Sequence, residues 1–149
     1  MLYASLKLLH ILGMTAWFAA NLFAPGDARR SIASGKDLDG LRDRLRRGST
    51  VGGIGAFVTV ITGFGLIAVL GGFKQVPHAI HAGLLLALVS WAIAGVGVGG
   101  AARALDAAIG SGAAPEVLRG HVKRLAMMSG IFQTVWLLTL VTMVFRTLI

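Results

Sequence analysis

The stretch YASLKLLHILGMTAWFAANLFA, residues 3–24, decides how the rest of the chain is read. Its 22 residues form an apolar run, and a helix rising about 1.5 Å per residue needs roughly 20 of them to cross about 30 Å of hydrocarbon. Yet the run holds Lys7 and His10, one helical turn apart. An ionisable side chain in lipid requires a partner, a water-filled cavity or a function. Three more stretches have the same character, approximately 51–71, 79–102 and 122–145. The chain is 56% hydrophobic and 13% charged, and its mean hydropathy is +0.80, a combination seldom met in a soluble domain. The sequence predicts an all-α integral membrane four-helix bundle, a single transmembrane domain over residues 1–149 with no room for a separate soluble module.

Where the charge sits gives the orientation. The net charge is +8. Arg29, Arg30, Lys36, Arg42, Arg44, Arg46 and Arg47 lie between the first two spans, and Arg103, Arg119, Lys123 and Arg124 surround the third connection. Only Lys7, Lys74 and Arg146 fall on the other side. Such an imbalance follows the positive-inside rule. It predicts a multi-pass protein of the cell inner (plasma) membrane, with N and C termini extracytoplasmic and both basic connections facing the cytoplasm. Anionic lipid then accounts for the charge, and nucleic acid is not an expected partner. The first stretch is longer than the core of a secretion signal and is read as a retained span.

The connections carry local signals. The first opens on Pro25-Gly26, a breaker pair, and Leu38, Leu41 and Leu45 then follow helical spacing. A short amphipathic helix on the inner membrane surface or a solvated basic loop would account for it. In the third, Pro115-Glu116 resembles a helix start, so the fourth helix is expected to project into the cytoplasm. The run GVGVGG at 95–100 resembles a phosphate loop only superficially, because it follows no strand and lies inside an apolar helix. Gly95 and Gly99 instead form a small-xxx-small pair expected to let two helices approach closely.

On a helical first span, Lys7, His10, Met14, Trp17 and Asn21 share one face, expected to look into the bundle. Lys7 could snorkel to the interface while His10 bonds a neighbouring carbonyl. The third span offers a further reading, since it opens with PHAIHAG and so puts His78 and His81 near its outer end. His10 belongs to the same leaflet, which brings three of the four histidines to one membrane level; His121 lies on the basic side. Neutral imidazole binds iron, copper and zinc. The chain has no cysteine, and its acidic residues all belong to the connections. Thiolate sites and carboxylate cages are excluded, leaving heme b or a histidine–methionine copper site.

For heme, His10 with His81 or His78 would supply axial nitrogens, and Lys7, Lys74 or Arg146 would meet the propionates. For copper, Met14 and Met143 are soft ligands. Gln133, Trp136, Thr139 and Met143 form a polar stripe on the fourth span, expected to face inward. Trp17 shares the His10 face and is expected to line a pocket.

The segment LKLLHILGMTAWFA at 6–19 resembles the first helix of HemJ-type protoporphyrinogen oxidases and is similar to the wider family of CopD-like copper-resistance membrane proteins. Both carry Lys-x-x-His followed two turns later by tryptophan, here Lys7, His10 and Trp17. The stretch HAGLLLALVSW at 81–91 also looks like the HemJ-type segment in which a lysine closely follows a histidine. The resemblance implies heme b on His10, with His81 the corresponding position in the third span. It also implies single-electron transfer with a quinone or an extracytoplasmic redox protein. Alternatives are CopD-like copper transport or binding, and oxidation of protoporphyrinogen IX. Gly83 stands where the lysine would be, and the Asn-Glu-x-Pro pattern before the last span is absent, so the likeness points to a divergent member. Glycine-rich faces add the expectation of a homo-oligomer.

Overall fold

A computed structural model describes residues 1–145. They form four helical rods and, among the described residues, no strand. The rods are α1 (Leu2–Ser34), α2 (Leu38–Val69), a third made of α3 (His78–Ala92), a π-helical stretch (Ile93–Val98) and α4 (Gly99–Gly110), and finally α5 (Pro115–Val144). All four are long and apolar enough to cross a membrane. Large apolar side chains such as Leu8, Phe57, Leu85 and Leu138 point outward, as a bundle surrounded by lipid requires. α1 packs along α2 and α5, while the third rod packs along α5 and more lightly along α2.

The rods are longer than the apolar runs. α1 has 33 residues and α2 has 32, so each extends about 50 Å, well past about 30 Å of hydrocarbon. The expected break at Pro25-Gly26 does not occur, and α1 continues to Ser34 with Pro25 inside it. Proline removes one backbone donor, the one that would reach the Asn21 carbonyl, and the packing of the next two turns offsets this. Ala28 and Ile32 are buried there with Leu41, Leu45, Leu105 and Leu118.

Leu41 and Leu45 therefore belong neither to a surface helix nor to a loop. They start α2 and close a small core that continues the bundle beyond the apolar spans. The turn before α2 is short. Gly35 caps α1 in the left-handed region at φ 63°, and Asp37 follows at φ 56°. Glycine takes this conformation without penalty and aspartate tolerates it. As expected, α5 begins at Pro115 and carries a charged first section.

Ion pairs fasten this basic end. Asp106 on α4 accepts from Arg42 Nε at 2.8 Å and Arg46 Nη2 at 3.0 Å, both on α2. Arg44 donates to Asp27 of α1 at 2.8 Å and to Asp37 at 2.7 Å. Asp106 lies beyond the apolar part of its rod, and the guanidiniums, Arg42 foremost, hold its carboxyl below the usual range.

Candidate functional site

The α1–α2 seam positions His10. Gly13 and Gly55 remove the side chains at the crossing, and a Cβ on Gly55 would lie 2.8 Å from the Gly13 carbonyl oxygen. Gly52 admits Ala20 and Gly63 admits the His10 ring: a Cβ on Gly63 would sit 3.3 Å from His10 Cε1. Small residues let helix backbones approach, which dispersion forces reward in lipid. The expected pair Gly95 and Gly99 plays no such part. A Cβ on Gly95 would meet nothing within 4 Å, and one on Gly99 would meet only its own rod, at Ala94 and Arg103.

On this seam the half-buried His10 places Nδ1 2.9 Å from the Thr59 carbonyl oxygen and 3.1 Å from Thr62 Oγ1. Thr62 itself donates to the Val58 carbonyl at 2.6 Å. A carbonyl only accepts, so Nδ1 carries the proton, and in the neutral ring Nε2 presents the lone pair. Metal-bound histidines are commonly fixed in this way, the second nitrogen donating to a carbonyl while the first binds the metal. His10 thus makes the carbonyl bond that was one of its two expected readings, and that bond leaves Nε2 without a hydrogen-bond partner among the described residues.

The remaining residues of the α1 stripe divide by depth. Trp17 is buried, with its ring centroid 5.4 Å from that of Phe132 on α5. Met14 and Asn21 are half-buried, and Asn21 donates to the Trp17 carbonyl at 2.8 Å. Lys7 is exposed. On α5, Thr139 is buried and Gln133, Trp136 and Met143 are half-buried, the inward stripe the spacing predicts. Trp136 stacks on Phe18 with centroids 4.4 Å apart.

His78 and His81 are exposed at the start of α3, with ring centroids 6.0 Å apart. His81 Nδ1 lies 3.3 Å from the Pro77 carbonyl oxygen, and its ring lies 5.9 Å from that of Phe73. The expected gathering of His10, His78 and His81 is not formed: among the described residues, no three His, Cys, Asp or Glu side chains come together as a metal-holding group. The physical reason is the packing order. α1 and α3 each lie along α5 with no extended face between the two, so His10, His78 and His81 do not close into one three-residue group among the described residues. Arg146, a candidate for the propionates, lies outside the described residues.

Sequence reasoning missed Thr59 and Thr62. Their spacing on the Gly55–Gly63 face of α2 was the available signal. It also missed a cleft of about 680 Å³ at the basic end, lined by α1, α2 and the third rod, with Trp17 among its walls as expected.

No known protein family matches the chain, and no curated protein or solved structure does either.

Proposed function

We propose that this chain is a multi-pass inner-membrane heme b protein that passes single electrons, with His10 Nε2 as an axial ligand. The observation that supports it is the bond from His10 Nδ1 to the Thr59 carbonyl, which sets the tautomer needed for ligation. When bound, heme supplies a one-electron iron couple. The chain's own part is to hold the imidazole between Thr59, Thr62 and Gly63. In this reading the basic end faces the cytoplasm, both termini lie outside, and the electron partner is a quinone or an extracytoplasmic redox protein. Homo-oligomers would cover the exposed apolar faces. An absorption spectrum of the purified protein is the test. A Soret band that disappears in His10→Ala carries the reading; protein that neither contains nor takes up heme ends it.

The resemblance to HemJ-type enzymes is part of this proposal, but Gly83 speaks for a heme-binding relative over the oxidase. Gly83 is buried, and a Cβ there would come within 2.6 Å of Met143 on α5, which leaves no room for a lysine. Failure to complement a strain lacking its own protoporphyrinogen oxidase is the expected result.

A second reading, copper binding in the CopD-like manner, is favoured by His78 and His81. Two exposed imidazoles one turn apart can hold one transition-metal ion between them. Bound copper that is lost in His78→Ala and retained in His10→Ala would establish it.

A further inference from the structure

We propose that the cleft at the basic end binds one anionic phospholipid, with an acyl chain between the rods and the phosphate among arginines. The volume, about 680 Å³, falls within the roughly 300–1,000 Å³ usual for small-molecule sites. Its two ends differ chemically. Away from the arginines the cleft is lined by Trp17, Trp91, Ala94 and Gly95, which belong to the apolar runs of α1 and the third rod. The rim carries Arg30, Arg47 and Arg103, all exposed.

Charge complementarity selects the occupant. The rim's fourth guanidinium, Arg44, is neutralised by Asp27 and Asp37. Among the described residues, Arg30, Arg47 and Arg103 have no carboxylate within 4 Å. An occupant must therefore be apolar along most of its length and anionic at one end, at the level where the apolar run gives way to arginines. A phospholipid of the surrounding leaflet meets both requirements. The backbone is shaped for it too. The π-helical turn Ile93–Val98 lies in the cleft wall, and such turns recur at functional sites because they displace the following residues around the helix. Gly95, within that turn, faces open space. No histidine, methionine, cysteine or tyrosine lines the cleft, so it is separate from the His10 site.

Native mass spectrometry of the full-length protein in detergent tests the proposal, titrating dioleoyl phosphatidylglycerol against dioleoyl phosphatidylcholine. One phosphatidylglycerol is expected to remain on each chain, preferred by about tenfold, the scale set by one to two arginine–phosphate attractions. Arg30→Gln, Arg47→Gln and Arg103→Gln together should bring the two lipids to parity. Gly95→Leu, which leaves the arginines in place and meets no packed neighbour, should weaken both. Glycerol phosphate, the headgroup without chains, should not displace the lipid. Equal binding of the two lipids by the unaltered protein overturns the proposal, as does a preference that survives the arginine changes. Displacement by glycerol phosphate would reveal a free-anion site, and a dimer that excludes lipid would show that a second copy fills the cleft; either overturns it. An unchanged circular dichroism spectrum establishes that the variants fold, and heme content is read separately.

Discussion

Gly13 of α1 and Gly55 of α2 meet back to back, so close that a Cβ on either would come within 3.0 Å of the other's carbonyl oxygen. The crossing fixes the register of the seam, and His10 lies one turn away from it. Gly55→Ala should force the rods apart and cost about 1–3 kcal/mol, the usual penalty of overpacking. Gly95→Ala should cost less than 1 kcal/mol, or even stabilise the helix by about that amount, since alanine is the better helix former. Thermal unfolding of both variants in one detergent checks the contrast.

Thr62→Val keeps the shape beside His10 but deletes the hydroxyl 3.1 Å from Nδ1. The Thr59 carbonyl still accepts, so heme should stay bound with its Soret band in place. A weaker acceptor makes the ligand less electron-donating. The midpoint potential should then rise by about 20–60 mV, the equivalent of part of one hydrogen bond. Redox titration against the unaltered protein reads the shift, and a fall in potential contradicts the proposed ligand.

Trp17→Ala should open a void against Phe132 and destabilise the bundle by about 3 kcal/mol. Trp17→Phe should restore most of this loss, because the ring at 5.4 Å serves chiefly to fill space. Unfolding midpoints of the pair separate packing from a need for the indole N–H.

Acid should loosen the basic end. The Asp106 carboxyl titrates below its ordinary value because Arg42 and Arg46 hold it ionised. Its contribution is therefore complete above the ordinary carboxylate range and is lost as the pH falls through the lowered value. Asp106→Asn should lower the unfolding midpoint at pH 7 and show a smaller further loss toward pH 3. Salt should weaken the effect, since these groups are solvated.

The number and character of the rods were legible because apolar runs near twenty residues have few other uses. Their ends were not. Pro25-Gly26 reads locally as a stop, and only the distant partners Leu41, Leu105 and Leu118 make continuation favourable. The small-residue seam was misplaced for a related reason: composition shows which faces can approach, and only the fold shows which ones do. Gly95 and Gly99 have the required spacing, but Gly13 and Gly55 have the neighbour. His10 was legible as a polar side chain that needs a partner. That its partners are Thr59 and Thr62, with His78 and His81 elsewhere, follows from which rods adjoin, and one chain's periodicity does not encode it.

The unbroken passage of α1 through Pro25 has a mechanical consequence. A stub hung on a flexible loop could ride up or down, whereas arginines set on a stiff rod stay at a fixed height relative to the oily section. A bilayer thinner or thicker than that fixed spacing would have to be matched by stretching or compressing the lipids or by tilting the bundle.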